Sequence, residues 1–534
     1  MTDILFGQSY YLKFDEKLLE AMQPYPPLGS LYAASLTRNR GYQVAFFDAM
    51  LAQSEAEWDQ ALVDHKPTFA VLFEDNFNYL SKMCLLRMRE AAYTMIRLAR
   101  RRGCIVIAGG ADATDHPEAY LDAGVHYVLL GEGEQTLLEL LDKVSGKVDV
   151  PLEAINGLAY KRENLAQENH DRKGVPATQF TRTPRRQDIK DLDSLPLPAW
   201  DLVDVDRYRN IWKKRHGYFS INMVTTRGCP YHCNWCAKPI WGQRYNIRSP
   251  ENVTAEMVWI DKHYHPDHVW FMDDIFGLRP GWLSRFADLL EQNHLIIPFK
   301  CLSRADLLLR ENDCEALSRA GCQIVWIGAE SGSQKVLDAM EKGIRVQQIY
   351  ESTRRLQSLG IQVGFFLQFG YPGESRDDIE KTFEMVRQCQ PDEIGISVSY
   401  PLPGTRFYEA VKEQLGFKKN WFDSKDLAML YQGPFSTAFY RQLHMVLHRE
   451  FRVLKAWKDI KYRLQNGRVH LGKPIPGISV PRNFVRMSYN RLLLLWERRK
   501  LNRLERLPHS GLQPIKPSMS PLAASIPSTR EDMP

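Results

Sequence analysis

A chain of 534 residues is too long for one hydrophobic core, and its length points to about three or four domains. With 44% hydrophobic and 25% charged residues the composition is globular, and its apolar runs, such as Leu492 to Trp496, fall far short of the roughly 18–20 residues of a membrane span. The opening segment MTDILFGQSYYLKFDEKLLE lacks the basic-then-apolar order of a secretory signal, so the cytoplasm is the expected compartment.

Residues 1–146 alternate strand and helix signals. Strands are expected at Asp3 to Phe6, Gln43 to Phe47, Phe69 to Phe73, Cys104 to Ala108 and His126 to Leu130, with helices such as Leu31 to Asn39 and Met83 to Arg101 between them. Each strand is a short continuous apolar run, which predicts an α/β, doubly wound sheet covered by helices on both faces. Two glycine-rich turns follow late strands, Gly109-Gly110-Ala111-Asp112 and Gly131-Glu132-Gly133-Glu134. Glycine lets backbone approach a ligand closely, and open parallel sheets bind ligands beyond the carboxyl ends of their strands. Gly109, Gly110, Gly131, Glu132 and Gly133 are therefore candidate cofactor-binding residues, although tight strand-to-helix turns also use glycine for steric reasons alone. Residues 147–218 read as a linker with a β-hairpin, Gly157 to Tyr160 against Ala177 to Phe180.

Cys229, Cys233 and Cys236 stand in TTRGCPYHCNWCAKPIWG, spaced CxxxCxxC directly after the apolar run Ile221 to Val224. Thiolates suit iron–sulfur clusters, and a complete four-iron cluster takes four of them, so three leave one iron open to an exogenous ligand. A structural zinc site wants four closed ligands. His232 would have to supply the fourth from inside the same tight loop, and no second cysteine pair has zinc-knuckle spacing. The other six cysteines, at 84, 104, 301, 314, 322 and 389, are scattered and are expected to be small buried residues rather than a disulfide framework.

From 219 to 410 strands and helices alternate again, with strands at Ile221 to Thr225, His268 to Met272, Phe299 to Leu302, Ile324 to Ile327, Val363 to Leu367 and Glu393 to Val398. Six βα units predict a partial (β/α)6 barrel, whose reactive sites lie at the carboxyl ends of the strands. The residues there are the cysteine loop; Asp273, Asp274 and Phe276; Ser303 and Arg304; Glu330 and Ser331; Gln368 and Tyr371; and Tyr400 with Pro403 and Gly404. Capping of the following helices and turn geometry are the competing roles for the two aspartates and for the glycines and prolines.

Residues 411–507 read as a helical C-terminal domain covering the barrel mouth, in which Trp421, Tyr431 and Tyr440 are expected to pack. The net charge of +6 is uneven: residues 449–516 hold 17 Lys and Arg against 4 Asp and Glu, so the rest of the chain is slightly acidic. Such a segment is either a solvated face or a surface for phosphate groups, and Arg482 to Leu507, which mixes apolar and basic residues, suits peripheral contact with an anionic membrane. Residues 508–534, rich in Pro and Ser, are expected to be disordered.

The cysteine triplet with Trp235 just before its third member resembles the radical S-adenosylmethionine superfamily. The order of parts, a five-strand domain ending in GEGEQTLLELL, a linker with DLDSLPLPAWDL and then the triplet, resembles its cobalamin-binding subgroup over residues 1 to about 415. Anaerobic Mg-protoporphyrin ester oxidative cyclase and the phosphonate and hopanoid methylases belong to that group. The resemblance implies a [4Fe-4S] cluster on Cys229, Cys233 and Cys236 whose open iron chelates S-adenosylmethionine, and reductive cleavage to a 5′-deoxyadenosyl radical that abstracts hydrogen from substrate. It further implies, by strand order, cofactor contacts at Trp235, Asp273, Asp274, Ser303, Arg304, Glu330, Ser331, Gln368 and Gly404, with adenine on backbone near Gly370 and Leu402. One departure stands out: no DxHxxG motif occurs in the first domain, since Asp115-His116-Pro117 does not fit, so cobalamin is expected base-off, without a histidine ligand below cobalt.

The expected function is radical methylation of an unactivated carbon in a small-molecule or lipid intermediate, using two molecules of S-adenosylmethionine and an electron donor such as flavodoxin or ferredoxin. A non-methylating oxidative cyclase or rearrangement enzyme is the alternative with the same cofactors. A cobalamin or redox sensor whose basic C-terminal region binds nucleic acid is the alternative of another class. The polar residues after all six barrel strands argue against a sensor, and no nucleic-acid-recognition signature accompanies the basic segment. No residue is singled out as a proton-transfer catalyst.

Overall fold

The computed structural model describes residues 2–78, 85–161, 180–237, 240–416, 420–424, 426–466 and 480–506. Cys84, the first two residues of the expected Met83 to Arg101 helix, residues 177–179 of the expected hairpin and the expected tail at 508–534 lie outside them.

The first sheet contains β1 (Ile4–Gly7), β2 (Val44–Phe46), β3 (Phe69–Phe73), β4 (Ile105–Gly109), β5 (Tyr127–Leu129), β6 (Leu158–Lys161) and β7 (Phe180–Arg182), in the order β2-β1-β3-β4-β5-β6-β7. The first five are parallel, and β3, FAVLF, is buried along its whole length. Separate apolar cores fill the two faces, one around Leu5, Trp58, Met95 and Val106, the other around Phe6, Val71, Ile107 and Leu137. The hairpin expected in the linker continues this sheet, because β6 pairs antiparallel with β5. Its second strand opposes Lys161 with Phe180 and Ala159 with Arg182, and Phe180 is the one residue of the expected Ala177 to Phe180 segment among the described residues.

The second sheet is parallel and sequential: β8 (Ser220–Met223), β11 (His268–Phe271), β12 (Phe299–Ser303), β13 (Cys322–Glu330), β14 (Gln362–Phe369) and β15 (Glu393–Val398). It curls without pairing β15 to β8, so the barrel is open. Helix starts follow local chemistry: Ser249 accepts from the Asn252 amide ahead of Pro250, and Ser375 with Asp378 closes a capping box. A short ribbon, β9 (Thr226–Arg227) against β10 (Asn246–Ile247), closes the base of the cysteine loop.

One hydrophobic core joins all parts, from Tyr10, Tyr32 and Phe77 through Trp200 and Trp212 to Ile221, Phe365, Leu447 and Leu501. The helix Val205–His216 stitches the halves: Trp212 Nε1 donates to the Pro24 carbonyl at 2.7 Å and the Tyr208 hydroxyl to Asp48 at 2.7 Å. Two helices, Thr437–Asn466 and Val480–Glu505, pack against each other at the C-terminal end.

Candidate active site

The cysteine loop leaves the ribbon at Gly228, whose φ of +82° and lack of a side chain are both needed, because a Cβ there would collide with the Arg244 carbonyl. Cys229, Cys233 and Cys236 stand partly exposed on this loop, while His232 is exposed. Among the described residues no three His, Cys, Asp or Glu side chains converge on one ion position. A cubane does not require that, since each thiolate meets its own iron. Three thiolates on one glycine-hinged loop are a donor set that fits such a cluster and not a closed zinc site.

Asn234, absent from the sequence-derived candidates, fastens the loop between Cys233 and Cys236. Its amide donates to the Met340 carbonyl at 3.1 Å and its carbonyl accepts from the Phe407 amide at 3.0 Å. Its side chain donates to the Ala339 carbonyl at 2.8 Å and accepts from the Tyr371 hydroxyl at 2.9 Å. Trp235 packs against the apolar cluster that contains Val336, Met340, Tyr371, Phe407, Val411 and Tyr431, with its indole nitrogen buried and without a partner. The Arg304 guanidinium lies 3.6 Å from the Tyr231 ring centroid and is held by Asp306 in a two-point pair of 2.9 and 3.2 Å. It braces the loop, and its Nε and one of its two Nη atoms are committed to Asp306.

Asp273 also departs from its expected role. Its buried carboxylate accepts four bonds of 2.7–2.9 Å from the amides and hydroxyls of Thr225 and Thr226, the two residues that lead into the ribbon. It is a strap on the loop's base, and burial pushes its carboxyl up to about 6. Asp274 beside it is exposed. Glu330 takes the left-handed conformation, φ +56°, next to an irregularity in β13 and accepts from Lys342 at 2.9 Å. Ser331 is fully buried and engaged with Thr382 and the Ser333 amide, so it supports the turn from inside. Ser303 and Gln368 are buried at strand ends, and the Gln368 Oε1 has no partner, as suits a group awaiting a ligand. Gly404, φ +76°, opens onto free space.

The first sheet offers a second cradle at its carboxyl edge. Gly110, φ +138°, has the Glu74 side chain 2.6 Å from where its Cβ would lie, so only glycine fits. Glu74 accepts from the Ser9 amide at 3.0 Å, and burial pushes its carboxyl up to about 7. Asn76 Oδ1 is buried there without a partner. Gly109 packs closely on Leu129, and the Gly131 amide donates to Thr114 at 3.1 Å. The loop after β1, Gln8-Ser9-Tyr10-Tyr11, carries no histidine; His116 lies beyond β4, 3.9 Å from Asp112. A glycine cradle with an orphaned amide oxygen fits a large amide-bearing ligand such as cobalamin.

Glu132 is the clearest correction: it is turned away from this cradle. With Glu134 it flanks Arg227, at 2.7 and 2.9 Å, and all three are nearly inaccessible to solvent. Glu132 also accepts from the Trp241 indole at 3.0 Å and the Ile189 amide at 2.7 Å. Gly133, φ +90°, sits 3.1 Å from Phe73 at its would-be Cβ and permits the turn. The second glycine turn of the first domain is thus bolted to the strand that enters the cysteine loop.

Comparison with known proteins accords with this geometry. A family described as the radical SAM superfamily matches residues 223–386, and the B12 binding domain matches residues 18–141. An uncharacterized methyltransferase of Pyrococcus horikoshii is 28% identical over 411 residues, covering 74% of this chain and 81% of its own length. An anaerobic magnesium-protoporphyrin IX monomethyl ester cyclase of Rubrivivax gelatinosus is 24% identical over 408 residues, 75% of this chain and 68% of that protein. The fold is that of the cobalamin-dependent S-adenosylmethionine radical enzyme OxsB, with a TM-score of 0.65 at 16% identity over 94% of this chain and 81% of that one. The cofactors of this domain pair are a [4Fe-4S] cluster, S-adenosylmethionine and cobalamin. With its B12-binding domain bolted to a three-cysteine barrel loop, the chain belongs to the radical SAM superfamily, in the group that joins these two domains.

Proposed function

We propose that the protein methylates an unactivated carbon of a small-molecule or lipid intermediate. The observation that carries this reading is the buried Glu132–Arg227–Glu134 cluster, which fixes the cobalamin-type cradle against the cysteine loop. When bound, the cofactors supply a 5′-deoxyadenosyl radical and a transferable methyl group. The chain's own part is placement: Asp273 straps the base of the loop carrying Cys229, Cys233 and Cys236, the proposed cluster ligands, and Asn234 fastens it between the last two. Gln368, Glu330 and Ser303 stand at the strand ends where S-adenosylmethionine would lie, and Gly110 with Asn76 lines the cobalamin side. The likeness to a named methyltransferase supports the same reading. A flavodoxin or ferredoxin is the proposed electron donor.

Likeness to a magnesium-protoporphyrin ester cyclase favours a second reading, oxidative cyclisation without methyl transfer. Product mass separates the two. A gain of one CH2 per turnover, with label from methyl-labelled S-adenosylmethionine in the product, is the expected result. Loss of hydrogen or gain of oxygen without label refutes methyl transfer and favours cyclisation.

A further inference from the structure

The C-terminal helix Val480–Glu505 packs Leu494, Leu501 and Leu504 against the core and yet carries a second apolar face outward. Toward the rest of the protein it turns Asn490 and Glu497, both buried, alongside Leu501. Arg449 donates to Asn490 at 3.3 Å and pairs with Glu497 at 3.6 Å, and Gln442 donates to the Glu497 carbonyl at 3.2 Å. Toward solvent it turns Phe484, Val485, Tyr489, Leu492, Leu495 and Trp496, each at least 56% exposed. Steps of four, three and four residues set Val485, Tyr489, Leu492 and Trp496 on one line, about 16 Å long at the helical rise. A surface helix ordinarily presents its polar side to water, and a contiguous apolar stripe marks a surface that meets something.

The same line continues beyond Trp496 as Arg499 and Arg503, and Arg491, Lys500 and Arg506 are exposed beside it. Among the described residues none of these five meets a carboxylate; the helix's two glutamates are engaged with Arg449 and Arg376. We propose that this helix docks the protein on a bilayer surface containing anionic lipid, its apolar line entering the acyl boundary and its arginines meeting headgroup phosphates. Charge selects this occupant. A second copy would set one basic face against another, and a nucleic acid would leave the leucines, valine and tryptophan without a partner. Among the described residues no helix is long and apolar enough to cross a membrane, so the contact is peripheral. The proposal stands on the exposed helix face and does not depend on methyl transfer.

Full-length, cofactor-loaded protein is sedimented with vesicles of phosphatidylcholine alone and of phosphatidylcholine mixed with phosphatidylserine, at low and high salt. Two variants are compared with wild type, Leu492→Glu with Trp496→Glu, and Arg499→Glu with Arg503→Glu. All four side chains are exposed, and thermal melting with 5′-deoxyadenosine formation checks that folding and the barrel are intact. The expected result is binding to the anionic vesicles only, weakened by salt and reduced at least about tenfold in either variant. Equal sedimentation of wild type and variants, or equal binding to both kinds of vesicle, overturns the proposal. So does a wild-type dimer that becomes monomeric in the first variant without any vesicle binding, or a nucleic acid that binds where vesicles do not.

Discussion

Replacing Arg227 by methionine would leave Glu132 and Glu134, two carboxylates of one turn, buried at the seam between the two sheets without their countercharge. Removing one partner of a buried ion cluster costs about 3–5 kcal/mol. At roughly 2–4 °C per kcal/mol, the figure for domains smaller than this cooperative unit, melting should fall by about 6–20 °C, toward the lower end. The pH response gives a second check. Burial already pushes the Glu134 carboxyl up, with Arg227 opposing the shift. Without the arginine the Glu134 carboxyl is held further above its unfolded value, so stability is retained at low pH and lost as pH rises through the folded-state value. The variant's deficit should therefore shrink from about pH 8 to about pH 5. Adding Glu132→Gln and Glu134→Gln should recover most of the loss, because a neutral buried cluster of similar volume is tolerated. Thermal melts of anaerobically prepared protein read both effects. A single variant melting within about 2 °C of wild type, or a triple variant no more stable than the single one, would refute the reasoning.

Other expectations follow from the same geometry. Cys229→Ala, Cys233→Ala and Cys236→Ala should each abolish iron loading and reductive cleavage of S-adenosylmethionine; Cys301→Ala and Cys322→Ala, at buried sheet positions, should not, and iron analysis with 5′-deoxyadenosine assay decides. Gly228→Ala should lower cluster occupancy while the barrel still folds, as measured by iron content and circular dichroism. Hydroxocobalamin should be retained through gel filtration with a base-off spectrum, since no DxHxxG histidine is present, and a base-on spectrum would reject a displaced dimethylbenzimidazole tail. Glu74, raised from 4.5 to about 7 by burial, favours folding below its unfolded value and loses that contribution as pH rises through about 7. Glu74→Gln should match wild type near pH 4.5 and be the more stable protein above about pH 7; parallel melting profiles across that range would count against the assignment.

The strands of the first sheet were legible because helices cover both its faces, so a strand reads as an unbroken apolar run such as FAVLF, whereas strands of the second sheet, such as EIGISV, alternate buried with more exposed positions. The cysteine loop was legible because spacing alone carries its chemistry. What escaped the sequence are partners brought together across long separations. Glu132 read as a ligand contact, yet its partner Arg227 lies 95 positions later. Asp273 sat where a strand-end acceptor was expected, and only the fold shows two threonines 47 and 48 positions earlier taking all its capacity. Asn234 was hidden by its own neighbours, a polar residue between two cysteines with no motif to mark it. The hairpin read as linker because its edge pairing with β5 leaves no local signature.

The continuous core has a consequence for synthesis. The first sheet can complete its two private cores, around Trp58 and around Leu137, while the chain is still emerging. The aromatic flank with Tyr10, Tyr32 and Phe77 must wait for Trp200, Ile221 and residues as late as Leu447 and Leu501. A nascent chain halted within the barrel therefore carries a sticky, half-covered wall, the kind of surface that recruits chaperones or aggregates. Cutting the chain between its halves would make that state permanent, so the barrel or the first sheet expressed alone should be insoluble although each has a complete sheet of its own.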